Sequence, residues 1–247
     1  EIMPSLVGSE MCIRDRLQVA IDGPASAGKS TVAKLVAKRF GYIYVDTGAM
    51  YRAVTYWAMQ QHVDLADEAA VITAMKSLKI SFKPGEPDQL VFANQEDITA
   101  AIRQPDVTNN VSTSAALPQV RTILTEQQRE MANAGGIVMD GRDIGTTVLP
   151  NAEVKIFLVA SAAERAKRRY AENVKKGIDT PLAQLQAEIE LRDHKDSTRK
   201  VSPLTQATDA TLVDTTPMSI DEVVAAIAKI ITKKQSSTTV SYTHLRA

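Results

Sequence analysis

The segment from Gly23 to Ser30 constrains the fold of this chain more than any other feature of its sequence. It reads Gly-Pro-Ala-Ser-Ala-Gly-Lys-Ser, follows the apolar run LQVAID and precedes a periodic pattern that predicts a helix over residues 29–40. A loop of the form G-x-x-x-x-G-K-[ST] between a buried strand and a helix is the P-loop. A glycine-rich turn with a chance lysine is the alternative, and the match at all four specified positions argues against it.

The P-loop motif gives each of its parts a physical role. Its backbone N–H groups and the following helix N-terminus favour the phosphates of a nucleoside triphosphate. Lys29 is expected to reach the β- and γ-phosphate oxygens, and Ser30 to offer its hydroxyl to the Mg²⁺ that accompanies ATP. The predicted ATP-binding residues in the loop are Gly23, Pro24, Ala25, Ser26, Ala27, Gly28, Lys29, Ser30 and Thr31.

Apolar runs on either side of this loop predict an α/β fold. Strand-like segments lie at 17–22, 42–45, 136–140, 154–160 and 210–214. Helical patterns alternate with them: one starts at residue 47, four cover 67–78, 105–133, 161–176 and 181–196, and the last starts at Ser219. Such alternation is typical of a parallel sheet flanked by helices. Two short strand candidates, LKISFK and QLVFA, interrupt it. We therefore predict a P-loop NTPase-type parallel sheet with an inserted substrate-binding lobe.

The chain is expected to contain one domain and two extensions. Residues 17–233 form the predicted domain, with a core over 17–46 and 135–233, an insertion over about 47–134 and a short lid over about 165–180. Residues 1–16 show no sustained periodicity, and residues 234–247 follow a helix that is expected to end near Lys233. Both ends are interpreted as non-native or disordered.

Composition excludes several classes of function. The 247 residues carry 29 Lys and Arg against 29 Asp and Glu, so no net charge attracts nucleic acid or an anionic membrane. No apolar run approaches the ~18 residues of a membrane span, and a cytoplasmic location is expected. The lone Cys12 excludes an internal disulfide. Neither the N-K-x-D tetrapeptide of GTPases nor the L-S-G-G-Q of transporters is present, which leaves a compact kinase.

Four motifs together resemble those of the cytidylate kinases, over nearly all of residues 17–233. They are IDGPASAGKST, the run DTGAMYR from Asp46 to Arg52, the run DGRDIG from Asp140 to Gly145, and RDHKDSTR from Arg192 to Arg199. The resemblance implies Mg²⁺-dependent, in-line phosphoryl transfer from ATP to CMP or dCMP, giving ADP and CDP or dCDP. It also makes the insertion the nucleoside monophosphate-binding lobe, and we expect a monomer.

The resemblance further implies a role for each residue on the acceptor side. It places Arg52 at the acceptor phosphate, Thr47 and Tyr51 beside the base and sugar, and Ser112 and Arg121 at the cytosine. A serine and an arginine can supply the acceptor and donor that cytosine requires. The predicted CMP-binding residues are Thr47, Tyr51, Arg52, Ser112, Arg121, Asp140, Arg142, Asp143, Arg192 and Asp196.

Converging positive charge is what phosphoryl transfer needs, because charge spreads over the equatorial oxygens of the transferred group. The predicted catalytic residues are Lys29, Arg142, Arg192 and Arg199. Asp140 follows a strand, at the sheet edge where ligands bind, and is expected to hold Mg²⁺ through water. Arg165 to Arg169 are expected to lie by the predicted lid over the triphosphate, with Arg168 as the triphosphate contact. Ion pairs on a solvated helix are the alternative for Arg165, Arg168 and Arg169.

Two other functions remain open at this point. A kinase for another small acceptor, such as UMP, AMP or shikimate, would keep the same phosphate-binding core, since only Ser112 and Arg121 argue for cytosine. A P-loop switch without rapid transfer would bind ATP, but it would have no use for a second phosphate site.

Overall fold

A computed structural model of the chain describes residues 16–83, 85, 89–175 and 177–243. In chain order the elements are β1 Gln18–Asp22, α1 Lys29–Phe40, β2 Ile43–Asp46, α2 Thr47–Gln60, α3 Glu68–Met75, β3 Ile80–Lys83, β4 Leu90–Ala93, β5 Glu96–Asp97, a 3-10 turn Ala101–Arg103, α4 Pro105–Ser114, α5 Pro118–Ala132, β6 Ile137–Gly141, a π-helical turn Ile144–Val148, β7 Val154–Val159, α6 Ala162–Lys175, α7 Leu182–Thr198, β8 Thr211–Asp214 and α8 Ile220–Thr243.

The central sheet has five parallel strands in the order β2-β6-β1-β7-β8. The predicted parallel α/β fold is therefore confirmed. From β1 the chain first builds the β6 side of the sheet through β2, and later the β7 side. The strand order thus reverses at β1, and ligands of open α/β sheets bind at the carboxyl ends of the strands at such a point. The P-loop begins there, directly after Asp22.

Side chains of β1 alternate between the two faces of the sheet, as the pleat requires. Val19 and Ile21 pack with α1 and α8, where Val36 and Ile227 are fully buried. Ala20 faces the other side, in a cluster with residues of β6 and of the π-helical turn. The sheet is therefore covered on both faces, which explains why its strands read as continuous apolar runs.

The elements between β2 and β6 form the inserted lobe, which contains a separate antiparallel sheet in the order β3-β4-β5. Helix α2 belongs to both of the lobe's apolar clusters. Met50 and Val54 lie in one, and Ala49 and Ala53 in the other. The N-terminus of α2 is capped by Asp46, whose carboxylate accepts from the Ala49 N–H at 2.8 Å. The lobe is thus built around a helix that starts directly at the end of a core strand.

The single helix predicted over residues 105–133 is wrong, because the structure has two helices there. α4 ends at Ser114 and α5 begins at Pro118. Proline disfavours helical geometry in the residue before it, and Leu117 accordingly has ψ of 121°. Proline itself fits the first position of a helix, since the N–H that it lacks would have no partner there.

Helix α8 starts with a capping box, in which the Ser219 N–H donates to Glu222 at 2.8 Å and the Glu222 N–H donates to the Ser219 hydroxyl at 3.3 Å. It continues to Thr243, beyond the end expected near Lys233, because no glycine or proline follows to stop it. Within the described part of the chain, no helix has the length and apolar character needed to cross a membrane. Residues 1–15 and 244–247 lie outside the described residues, and a non-native origin of either end stays a prediction.

Gly23 is expected to be indispensable where the start of the P-loop packs against the backbone of β7. Its φ is +147°, and a Cβ there would lie 2.1 Å from the carbonyl oxygen of Leu158 in β7. We predict that Gly23→Ala lowers the free energy of unfolding by about 3 kcal/mol or more, from strain and overpacking together. The matched control is Gly41→Ala, at φ +65° with nothing within 4 Å, which should cost only about 1–2 kcal/mol. Urea denaturation of both variants is the measurement, and equal losses would contradict the prediction.

Candidate active site

A cleft of about 710 Å³ lies at the carboxyl ends of β1, β2 and β6, between the sheet and the inserted lobe. Every site residue predicted from the sequence lines it, except Gly23 and Pro24. Gly23 lies instead against the backbone of β7. The structure therefore brings the separately predicted residues into one place, and the individual role of each stays a prediction.

The P-loop forms one end of this cleft, where the donor phosphates are predicted to bind. Gly28 caps α1 with φ of 88°, a left-handed conformation that glycine adopts without strain. The Lys29 Nζ donates to the Pro24 carbonyl at 2.7 Å, so the side chain folds back across the loop. Burial, and then the nearby Arg142, lowers the pKa of Lys29 to about 7. An anion in the loop would restore the full charge of this ammonium group.

Ser30 and Asp140, the predicted Mg²⁺ ligands, lie side by side although they are far apart in the sequence. The Ser30 hydroxyl donates to one Asp140 oxygen at 2.9 Å, and the Tyr44 hydroxyl donates to the other at 2.8 Å. Burial, and then Asp46, raises the pKa of Asp140 to about 6. A hydroxyl beside a carboxylate is an oxygen donor set that fits Mg²⁺. The described residues contain no group of three His, Cys, Asp or Glu side chains that could hold a metal by themselves.

Arg52, the predicted acceptor-phosphate contact, is held in place by the carboxylate of Asp46 at the end of β2. Asp46 caps α2 and also accepts from the Arg52 guanidinium at 2.9 Å. Burial alone would raise the pKa of Asp46, but Arg52 and the Ala49 N–H outweigh it and hold the pKa below its usual value. The Thr47 hydroxyl donates to the Asp140 carbonyl at 2.7 Å, so Thr47 also joins α2 to β6.

Arg121 lies in a buried pocket formed by α5, α2 and the turn after β6. It pairs with Asp143, and its Nη1 donates to the Ala115 carbonyl at 3.0 Å. Its guanidinium carbon lies 5.2 Å from the centre of the Tyr51 ring. The Nε of Arg121 has no hydrogen-bond partner among the described residues. Burial raises the pKa of Tyr51 to about 12, so this ring stays neutral at physiological pH.

Asp196, on α7, is hydrogen-bonded to two of the other predicted site residues. It accepts from the Arg142 Nε at 2.9 Å and, weakly, from the Ser112 hydroxyl at 3.5 Å. Burial would raise the pKa of Asp196, but Arg142 and Arg192 outweigh it and lower the pKa. Burial, and then Arg142, also lowers the pKa of Arg192 to about 10, which leaves it charged at neutral pH. The buried Nε of Arg192 has no hydrogen-bond partner in the described structure.

Arg199 does not lie on helix α7, although its spacing of seven residues from Arg192 would place both on one face of a continued helix. The helix ends at Thr198, and Arg199 follows as an extended residue with ψ of 145°. Its Nε donates to the Ser202 carbonyl at 2.6 Å, and its Nη2 lies 3.7 Å from the Asp143 carboxylate. Arg199 therefore reaches the cleft by a turn of the backbone and not by helical periodicity.

The arginines of α6 do not form one cluster. Arg168 lines the cleft and donates to the carbonyl and hydroxyl of Thr215 at 2.7 and 3.0 Å. Its contact with a triphosphate stays a prediction. Arg169 lies 4.0 Å from Glu172 in an ion pair of the surface type. Arg165 is buried below the cleft, so its interpretation as a lid residue over the triphosphate is wrong.

Sequence reasoning missed Asp22, the residue directly before the P-loop. Its two carboxylate oxygens accept from the backbone N–H groups of Ile144 and Gly145 at 2.8 and 2.7 Å. Burial raises the pKa of Asp22 to about 6. Asp22 thereby ties the P-loop strand to the turn that carries Arg142 and Asp143. A charged residue at the end of an otherwise apolar strand was the available signal.

Comparisons with known proteins bear on the fold and the family of this chain. A solved structure of an uncharacterized protein from Eubacterium ventriosum shares the fold, with a TM-score of 0.50 at 12% identity over 88% of this chain and 99% of that one. A cytidylate kinase of Lactiplantibacillus plantarum is 98% identical over 225 residues, which are 91% of this chain and 99% of that protein. A cytidylate kinase of Ligilactobacillus salivarius is 64% identical over 219 residues, which are 89% of this chain and 98% of that protein. The family model described as cytidylate kinase matches residues 19–233, and the chain belongs to the cytidylate kinase family.

Proposed function

We propose that this chain transfers the γ-phosphoryl group of ATP, with Mg²⁺, directly to the phosphate of CMP or dCMP, and that the residues of the cleft perform the step. Membership of the cytidylate kinase family supports the reaction. The observation that carries the assignment of residues is that the P-loop and the acceptor-side arginines line one cleft. A monomeric state and a cytoplasmic location belong to the same proposal.

The charges of the cleft support transfer between its two ends. Arg142 and Arg192 both act electrostatically on Lys29 at the donor end, and Arg192 also interacts with Arg52 at the acceptor end. These cations repel one another, which contributes to the lowered pKa values of Lys29 and Arg192. Phosphate groups placed between them would remove that repulsion. The cluster is therefore complementary to the charge on a phosphoryl group in transfer.

The acceptor needs positioning more than activation. A nucleoside monophosphate is already anionic at pH 7, so its oxygen can attack without a general base. The ion pairs Asp46–Arg52 and Asp196–Arg142 hold the acceptor-side guanidinium groups in fixed places. Fixed placement of the two reactants supplies a large part of the rate enhancement in such reactions. We therefore assign no covalent enzyme intermediate.

Ser30 and Asp140 are the residues that would hold Mg²⁺. Mg²⁺ is commonly bound by one or two protein oxygens together with the substrate's phosphates. When bound, the ion neutralises charge on the β- and γ-phosphate oxygens. The raised pKa of Asp140, at about 6, fits a carboxylate that is buried beside a cation-binding position.

Arg121 and Ser112 support the choice of cytosine. Arg121 is held rigidly by Asp143 and the Ala115 carbonyl, and its Nε remains available as a donor. The Ser112 hydroxyl makes only a 3.5 Å contact with Asp196, so it can rotate toward a base. A donor and an acceptor fixed in this way would discriminate against bases that present a different edge.

A coupled assay of ADP release tests the function directly. ATP and Mg²⁺ would be supplied with CMP, dCMP, UMP, AMP, GMP or shikimate in separate reactions. We expect strong release with CMP and dCMP and at least tenfold less with the others. Release with a different acceptor would retain the kinase and overturn the cytosine pocket, and no release with any acceptor would favour a nucleotide switch.

Replacing Arg192 with alanine should lower kcat by about 10²–10³, the usual loss when one fixed electrostatic contact to a transition state is removed. The matched control is Lys195→Ala, which removes an exposed cation of the same helix. Both variants should keep the circular dichroism of the parent. An Arg192→Ala enzyme within threefold of the parent kcat would remove Arg192 from the catalytic set.

Binding of Mg·ADP at pH 8 should be accompanied by net uptake of about one proton. The pKa of Lys29 is lowered to about 7 in the free protein, so the group is mostly neutral at pH 8. Phosphate beside it raises that pKa toward the ordinary 10.5, and the site takes up a proton. At pH 6 the group is already protonated, and the uptake should fall.

Titration calorimetry in two buffers of different ionisation enthalpy measures this uptake. Lys29→Met should lose it, while Lys38→Met, at an exposed position of the same helix, should retain it. Absence of proton uptake by the parent at pH 8 would show that Lys29 is already charged in the free protein.

A further inference from the structure

The buried guanidinium of Arg165 joins three parts of the core, although Arg165 itself does not line the cleft. The Arg165 Nε donates to the Ala160 carbonyl after β7 at 2.9 Å, and its Nη1 donates to the Ala25 carbonyl in the P-loop at 3.0 Å. Its Nη2 donates to the Asp193 carboxylate of α7 at 2.6 Å. Neither Arg165 nor Asp193 lines the cleft, so neither is placed to touch a substrate.

Both ends of this connection adjoin residues of the proposed reaction. Ala25 belongs to the loop assigned to the donor phosphates. Asp193 directly follows Arg192 and lies one helical turn before Asp196 on α7. Arginine presents its donors in a rigid planar fork. A displacement of the Ala25 carbonyl is therefore transmitted through this group to the Asp193 carboxylate.

Helix α7 depends on polar contacts of this kind for its position. Its apolar packing against α6 consists of a small separate cluster, Ala166 with Leu185 and Ile189. Those residues of α7 lie in its first half. Toward its carboxyl end, two ion pairs in successive turns join it to the core, Asp193 with Arg165 and Asp196 with Arg142. The first pair leads to the P-loop and the second to the turn after β6, beside the acceptor.

We propose that the Arg165–Asp193 pair is a positioning element that couples the P-loop to α7, so that nucleotide in the loop sets the placement of Arg192 and Asp196. The role assigned to α7 rests on the proposed function. The coupling itself requires only that the loop and α7 move together. Filling the loop would thereby raise the affinity of the acceptor end, and by linkage the acceptor would raise the affinity of the loop equally.

Asp193→Asn removes the charge from this connection with little other change, because its neutral amide oxygen can accept only a weaker hydrogen bond from Arg165. Arg165 keeps its two carbonyl contacts, and the other Asp193 oxygen has no hydrogen-bond partner among the described residues. The matched control is Glu190→Gln, which makes the same change of charge at an exposed position of α7.

Calorimetry measures the coupling as the ratio of the CMP dissociation constants without and with saturating Mg·AMP-PNP. For the parent and Glu190→Gln we expect a factor within the roughly 5- to 150-fold range of linked sites. For Asp193→Asn we expect a factor at least threefold smaller than that of the parent, with each ligand alone bound within twofold of the parent. A factor near one in the parent, or a parent-like factor in Asp193→Asn, would overturn the proposal. So would a joint loss of both separate affinities and of the melting temperature, since that identifies a merely structural pair.

Hydrogen exchange separates this proposal from the proposed function, because it needs no acceptor and no turnover. Mg·ADP should slow backbone exchange over residues 182–198 in the parent and in Glu190→Gln, and should slow it distinctly less in Asp193→Asn. If the acceptor assay failed while this difference appeared, the coupling would stand without the kinase assignment. If exchange in α7 did not respond to Mg·ADP in the parent, the proposed coupling would be ruled out, whatever the result of the acceptor assay.

Discussion

Buried carboxylates hold the arginines of the cleft in fixed positions, and each of these ion pairs connects two separate elements of the fold. The pairs are Asp46 with Arg52, Asp143 with Arg121, and Asp196 with Arg142. Together they join the inserted lobe, the turn after β6 and helix α7. Buried ion pairs contribute little net stability, yet removal of one partner typically costs about 3–5 kcal/mol because a buried charge remains. The pairs therefore make alternative arrangements of the cleft costly and leave the guanidinium groups preorganised.

This arrangement is electrostatically unfavourable in the free protein, and the shifted pKa values of its buried groups reflect that cost. Burial raises the pKa values of Asp22 and Asp140 to about 6, so their contribution to stability declines as the pH rises through 6. Burial lowers the pKa of Lys29 to about 7, so its unfavourable contribution to the free energy of unfolding diminishes only as the pH rises above 7. Near neutral pH both costs are present at once. A site that binds highly charged phosphates is expected to be unfavourable for stability when it is empty.

The sequence was informative wherever the determining interactions are local. The strands follow from apolar runs, α1 from its periodicity, and the P-loop from glycines between those two elements. The break before Pro118 is also local and could have been predicted from Leu117–Pro118 alone. By contrast, the contacts of Asp22 with Ile144 and of Arg165 with Ala25 join residues that are far apart in the chain. Such pairings depend on how the elements pack, and one sequence contains no periodicity that reports them. The same holds for Arg199, which enters the cleft only because α7 ends at Thr198.

The junction between β2 and α2 contains no linker, since the strand ends at Asp46 and the helix begins at Thr47. Both apolar clusters of the inserted lobe share α2, so the lobe is attached to the core through a rigid helix. Arg52 lies on that helix about one and a half turns from the junction. Any change that reorients the lobe, whether insertion, recombination or repacking, must therefore also reorient Arg52, the proposed acceptor-phosphate contact. In evolutionary terms the lobe is not an exchangeable module, and a new acceptor specificity would have to arise by substitutions within its pocket, with the lobe retained in place.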